Sequence, residues 1–325
     1  MIQFTMVDYF QKLFFLLVFS TCFFQIHAQK KAGTYRQQFL LISENDSYTL
    51  KLIDRYYTDG IAVCFSKALK TEQKKKLFNA ELGQAIFTGY DTRKNYYSNS
   101  LDRPYSGFLY IKGGLSYLYK NENNLSWNAI AGVTGKAAKG EQTQRFIHHL
   151  LGFNKPYGWE TQLNSEFGFN IQTSYSQHLF KTPAKKSFDT FGVSDAIIGT
   201  SFTRFAAGVL FRLGAIEPAY NSAWFNGRLA SSNENQFTRP YELFFYFEPS
   251  IIAQVYDATV QGGLFTGQDG KFTSQLVPFI YQHKFGGVYA KNRWTTQIGF
   301  NYRTKQARTM ITNEVYGTIA IGYRF

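Results

Sequence analysis

The sequence predicts an all-β protein, a transmembrane antiparallel β-barrel of about twelve strands with one short helix in an extracellular loop. Three observations carry this prediction. Apolar and polar residues alternate with a period of two over runs long enough to cross a bilayer. Aromatic residues make up 18% of the 325 residues, with 33 Phe and 23 Tyr, as in sheets that carry aromatic girdles. The chain ends on VYGTIAIGYRF, which puts Val315, Ile319, Ile321, Tyr323 and Phe325 on one face and Thr318, Ala320, Gly322 and Arg324 on the other. A terminal Phe with an aromatic two positions earlier resembles the signal by which barrel proteins are handed to the barrel-assembly machinery for insertion.

In chain order, Leu13–Phe24 is a short apolar core after Lys12, too short to span, followed by Ile26-His27-Ala28. Residues 1–28 are therefore expected to be a signal peptide, and 29–325 the outer-membrane barrel. A lipoprotein site at Cys22 is a poor match, because Phe19-Ser20-Thr21 lacks the small residues it wants. Tyr57–Lys67 sets Ile61, Val63 and Phe65 against Gly60, Ala62, Cys64 and Ser66. Trp159–Thr173 gives the clearest alternation, and further strands are expected over Tyr35–Asn45, Phe78–Thr88, Phe108–Tyr119, Leu125–Thr134, Asp189–Thr200, Phe202–Leu213, Tyr241–Tyr256, Phe272–His283 and Trp294–Thr304. Lys181–Lys186 and Asn233–Gln236 read as turns, and Gly214–Pro240 as a longer external loop. A soluble sandwich shows the same alternation, but with shorter strands at closer spacing.

Between two strands, Gly140–Gly152 contains no proline, begins with an acid and ends at a glycine, so about three turns of helix are expected. Glu141, Gln144, Arg145 and His148 share one face by their spacing, while Phe146, Ile147, Leu150 and Leu151 supply apolar contacts. On spacing alone His148 is equally a surface histidine beside His149.

A formal charge of +13 on an exported chain points to an anionic partner. Nucleic acid is the wrong compartment, and the phosphorylated lipid of a bacterial outer surface is the natural one. With Cys22 in the leader, only Cys64 remains; mid-strand in IAVCF it reads as a packed residue, and no disulfide framework exists.

The stretch Glu44–Gly60, ENDSYTLKLIDRYYTDG, holds Asn45, Asp46, Asp54, Arg55, Thr58 and Asp59 around a short loop. If two antiparallel strands meet there, the two clusters come together at one rim of the sheet. Carboxylate, amide and hydroxyl oxygens in that arrangement suit a hard cation or a polarised ester; a solvated Asp-rich hairpin is the alternative. No Gly-x-Ser-x-Gly elbow supplies a serine nucleophile, so a histidine that takes a proton from water is the chemistry left open.

Four motifs in order, ENDSY…DRYYTDG, DRPYSGFLY (Asp102–Tyr110), GVTGKAAKGEQTQRFIH (Gly132–His148) and GWETQLNSE (Gly158–Glu166), resemble the LpxR family of outer-membrane lipid A 3′-O-deacylases. The resemblance implies a twelve-stranded barrel in the bacterial outer membrane, with an active site at the outer leaflet between the wall and a loop helix. It implies calcium-dependent removal of 3′-linked acyl groups from lipid A, the lipid of lipopolysaccharide. It places the catalytic residues on His148, Asn45, Asp46, Thr58 and Lys94, with Ca²⁺ held by Asp46 and Asn45. Arg55 and Arg103 are candidates for lipid A phosphate or sugar oxygens, or else rim ion pairs with Asp54 and Asp102. Asn154 stands where some relatives are expected to carry an acid. The competing hypothesis is a non-enzymatic barrel, a small porin or structural anchor.

Overall fold

A computed structural model describes residues 34–49, 55–71, 74–90, 101–180, 187–231, 237–268 and 271–325. The expected leader, Asp54, Lys94 and the expected turns at Lys181–Lys186 and Asn233–Gln236 lie outside the described residues. The strands are β1 (Gln37–Asn45), β2 (Tyr56–Leu69), β3 (Lys75–Thr88), β4 (Ser106–Leu118), β5 (Asn124–Thr134) and β6 (Glu166–His178). They continue as β7 (Phe188–Gly199), β8 (Phe202–Ala215), β9 (Tyr241–Asp257), β10 (Phe279–Lys291), β11 (Trp294–Arg303) and β12 (Glu314–Arg324). Each pairs with its chain neighbours, and β1 closes antiparallel on β12. Closure satisfies every ladder without leaving an edge, which a sheet inside a bilayer requires. Helix α1 (Gly140–Leu151) follows β5, and the one-turn α2 (Ala258–Gln261) follows β9.

The two faces of the wall divide by chemistry. Directly paired residues share a face, so Leu41 opposite Val63, Val63 opposite Leu82, and Leu82 opposite Ile111 form one outward row, all exposed and apolar. Inward positions pair their charges. Glu81 meets Lys112 at 2.6 Å and accepts a hydrogen bond from Tyr110 at 2.7 Å, and Lys284 meets Glu248 at 2.9 Å. The terminal strand behaves as its alternation predicts: Tyr323 and Phe325 face outward, with Phe325 stacked on Phe39 at 5.7 Å, while Arg324 is buried inside and donates to the carbonyls of Asn292 and Trp294.

Both termini of the barrel lie at one end, as an even strand number demands. At the other end, every connection except the turn at Thr200–Ser201 is long, which marks that end as extracellular. An even number of crossings also returns the chain after β8 to the terminal end, so the expected external loop at Gly214–Pro240 is instead on the periplasmic side. Its residues 216–230 fold into the barrel mouth as a plug. Lys75 Nζ donates to the Tyr220 and Gly227 carbonyls at 2.6 and 2.5 Å and to Asn221 Oδ1 at 3.0 Å. Arg212 grips both oxygens of Asp189 at 2.9 and 2.5 Å and donates to Ser222 at 2.6 Å. Ile216 and Ala219 pack with Phe191, Leu210 and Phe244, and partly buried Trp224 and Phe225 join them. Inward charges at the periplasmic mouth need oxygen partners, and the plug's carbonyls and hydroxyls provide them.

Two expected strands also start later than their alternation suggests. Trp159–Thr161 is a 3₁₀ turn, and β6 begins at Glu166. Likewise β10 begins at Phe279 and runs to Lys291, past the expected end at His283. In both cases the early aromatic serves the loop and not the wall.

Arg212 and Asp189 are both fully buried, so Arg212→Met leaves a carboxylate without its guanidinium in a dry site. A loss of about 3 kcal/mol or more is expected. It would appear as a lower midpoint for the folded band in a heated, semi-native gel, and an unchanged midpoint would refute the role given to this pair.

Candidate active site on the lipid-facing wall

The site begins with one irregularity in β2. The register with β3 shifts between Tyr57 and Asp59, leaving Thr58 as an extra residue, a β-bulge. Side chains alternate across a strand, so one inserted residue reverses the face of everything on its far side. Tyr57 therefore turns into the lumen, where its hydroxyl donates to Glu44 at 2.7 Å and its ring packs on Tyr316 at 4.6 Å. Asp59 stays on the outward face. There it pairs across strands with Asn45, and Asn45 Nδ2 donates to Asp59 Oδ1.

The neighbouring polar groups are fixed around that pair. Asn45 Oδ1 accepts from the Ser47 amide at 2.7 Å, an Asx turn that starts the short 3₁₀ segment Asp46–Thr49. Asp46 is buried, and its Oδ2 accepts from the Arg55 amide at 2.8 Å, closing the loop on itself. Thr58 is buried too, its hydroxyl 2.7 Å from that of Thr88 on β3. Tyr48 stands beside them with its phenol pushed up by burial, an effect that the negative charge of Asp59 reinforces. Asp59 lies in the stretch singled out from sequence but had no role there; it continues the outward face of Ile61 and Val63, and the bulge that turns Tyr57 away from that face leaves no sequence signature.

Helix α1 lies against the outside of this wall, on β3 and β4. Two glycines allow it. A Cβ on outward-facing Gly107 would sit 2.9 Å from the Ala138 Cβ and 3.3 Å from the Gly140 amide, and one on Gly140 would meet Trp159 at 2.8 Å. Gln84 Nε2 ties the approach down by donating to the Ala138 carbonyl at 2.6 Å. Trp159, 1% exposed, then wedges between helix and wall: its indole donates to Gln144 Oε1 at 2.7 Å, and its ring packs with Tyr105 and Ile86. Ile86 is the β3 partner of Asp59. The polar face of the helix is thus anchored one strand away from the Asn45–Asp59 pair.

That face carries His148, 8% exposed, one turn beyond Gln144. The helix ends there in a Schellman arrangement, with Gly152 at φ 71° and hydrogen bonds from Gly152 N to the His149 carbonyl at 3.3 Å and from Phe153 N to that of His148 at 2.7 Å. The next residue, Asn154, offers its carbonyl to His148 Nδ1 at 2.5 Å. Only an N–H can meet a carbonyl, so Nδ1 holds the proton and Nε2 bears the basic lone pair of the neutral ring. Because Asn154 acts through its backbone, the side chain at that position is immaterial to this contact. His149, by contrast, is exposed.

The expected substrate contact by Arg103 does not fit its setting. Arg103 is fully buried, donating to Thr259 Oγ1 at 3.0 Å and Gln306 Oε1 at 3.2 Å and lying 4.3 Å from the Phe87 ring, with burial pulling its pKa down against the acids Asp257 and Glu314. Its alternative as a rim pair with Asp102 does not describe it either. Asp102 accepts instead from Tyr56 at 2.7 Å and from the Tyr90 and Ile311 amides. Both residues fasten the extracellular loops together. Arg55 contributes its backbone amide to Asp46 and keeps a partly exposed side chain.

Oxygen donors suited to a hard cation are therefore gathered at one rim: the Asp46 and Asp59 carboxylates and the Asn45 amide. Another group, Glu122, His178 and Asp189, brings its ligand atoms within 4.8 Å of one another at the periplasmic end. Arg212 holds Asp189 there, and Glu122 accepts the Ala219 amide at 2.8 Å, so the group ties the plug to the wall.

Fold and membrane-facing chemistry define an outer-membrane β-barrel. The family model for outer membrane protein LpxR matches residues 13–325, and the chain belongs to that family. LpxR from Salmonella typhimurium has the same fold, with a TM-score of 0.72 at 17% identity over 89% of this chain and 100% of that one. The β domain of the Bordetella autotransporter BrkA gives a TM-score of 0.47 at 8% identity, covering 90% of this chain and 99% of that one. No curated protein sequence matches the chain.

Gly107→Leu should displace α1 while sparing the barrel. Trypsin added to intact cells would then cut at Lys139 or Arg145 several times faster, with the heat-modifiable barrel band retained. Unchanged cleavage would show that the helix does not depend on this close approach.

Proposed function

We propose that this protein is a lipid A deacylase that hydrolyses 3′-linked acyl esters, with His148 as general base and calcium as electrophile. The observation that carries the proposal is the position of the polar cluster. It sits on the outward side of the wall, directly above the apolar row Ile61, Val63 and Leu82, beside the strands β3 and β4 on which the helix packs. A glycolipid in the outer leaflet keeps its acyl chains at that belt and its ester linkages at that height, so it reaches the cluster by lateral diffusion. The filled lumen and plug favour this hypothesis over a porin.

His148 Nε2 takes a proton from water as the water oxygen attacks the ester carbonyl, and returns it to the departing sugar oxygen; the products are a free fatty acid and a hydroxyl on the lipid A sugar. Calcium bound by Asp46 and Asn45, with Asp59 added to that donor set, would polarise the carbonyl and stabilise the oxyanion. The Asn154 carbonyl keeps the imidazole in the tautomer this role needs. Thr58, buried against Thr88, holds the bulge next to Asp59. Lys94 and the side chain of Arg55 are assigned to phosphate or sugar oxygens of the substrate.

Lipid A from cells producing the protein should lose the mass of 3′-linked acyl groups, and His148→Gln should slow that loss by about a hundredfold or more. Mass spectra identical to those of cells without the protein, at millimolar calcium, would overturn the assignment. Chelation should abolish activity and calcium restore it, with Asp46→Asn and Asp59→Asn raising the calcium needed for half-maximal rate. Full activity in excess chelator would remove calcium from the mechanism.

A further inference from the structure

Helix α1 is inverted relative to a helix of a soluble protein. Its wall-facing side is polar, with Gln144 and His148 buried, while Phe146 is 65% and Leu150 70% exposed. At about 100° per residue, Phe146 and Leu150 fall on one flank and Arg145 and His149 on the other, with Gln142 between them on the outermost stripe. The helix therefore has three sides: one against the barrel, one apolar and one polar.

The geometry points to an interfacial anchor: Phe146 and Leu150 on α1 are immersed in the acyl chains of the outer-leaflet lipid surrounding the barrel. Continuity with the wall supplies the occupant. Because α1 packs on outward Gly107, four residues along β4 from Ile111 in the hydrocarbon-facing row, its flanks lie where lipid already covers the barrel. Exposed Lys139 and Arg145 on the helix are placed for anionic headgroups, as in helices that lie in a membrane interface. The consequence is a cover for the candidate active site that is held shut by bulk lipid as well as by the wall. This inference needs only the outer-membrane location; its activity arm alone rests on the hydrolase proposal.

The test uses the full-length mature protein with Cys64→Ser, reconstituted in vesicles of phosphatidylcholine and phosphatidylglycerol. Spin labels at Phe146→Cys and Leu150→Cys are compared with one at Arg145→Cys by their collision rates with oxygen and with a water-soluble nickel chelate. The oxygen-to-nickel ratio should be about threefold or more higher at the first two positions. Ratios at 146 and 150 equal to that at 145 would overturn the anchor whatever the enzyme does. In the activity arm, the double variant Phe146→Ser/Leu150→Ser should lose about tenfold in rate on lipid A embedded in vesicles and little on lipid A dispersed in detergent micelles. Equal losses in both would assign these residues to folding or chemistry and not to the bilayer.

Discussion

One inserted residue organises this protein. Without the bulge at Thr58, Tyr57 and Asp59 would share the outward face, and the lumen would lose the phenol that satisfies Glu44. With it, the aromatic ring goes inside and lies over Gly60, where a Cβ would meet its hydroxyl at 2.1 Å, while the carboxylate remains outside beside Asn45. Bulges cost ladder hydrogen bonds, and they persist where re-aiming a side chain compensates. Here the same shift serves the packing of the interior and the polarity of the exterior.

That division runs through the whole barrel. Inside, charges are neutralised in pairs and the periplasmic mouth is closed by a plug whose carbonyls and hydroxyls receive Lys75 and Arg212. The stability of the cylinder is therefore internal, and its outer face near the rim is free to carry polar groups that an ordinary barrel wall would exclude. Those groups are tolerated there because Asn45 and Asp59 satisfy one another and Asp46 takes the Arg55 amide, and the helix packs beside them on β3 and β4 because Gly107 and Gly140 have no side chains. Gln144 and His148 find their partners in Trp159 and the Asn154 carbonyl on the buried side of the helix, and the apolar residues of α1 are the ones left outside.

Much of this was legible in the sequence. Period-two alternation located the strands, several to within a residue or two, and the terminal segment faces as its pattern predicts. Helix limits and the choice of His148 over His149 followed from the cap signals and the family resemblance, and burial separates the two histidines in the same sense. Three features were not legible because they depend on closure and register. The direction of the segment after β8 follows from counting crossings, not from its composition. Trp159 looks like the first aromatic of a strand and becomes a wedge because Gln144 and Ile86 converge on it. Arg103 looks like a headgroup contact and becomes a strut because Thr259 and Gln306, far away in sequence, enclose it.

For the proposed hydrolase, the outward placement of the site also constrains what it can act on. A lumenal site would select water-soluble molecules small enough to pass the rim, whereas this one opens sideways onto a surface whose next layer down is Ile61, Val63 and Leu82. A substrate must therefore present a polar linkage immediately above hydrocarbon, and a molecule without long acyl chains forfeits the burial that would hold it there, worth about 0.8 kcal/mol per methylene. Under the proposed hydrolysis, positional choice among the esters of one glycolipid follows from height and reach: the linkage that lies level with Asp46 and Asp59 while its chains rest on the belt is the one presented for attack.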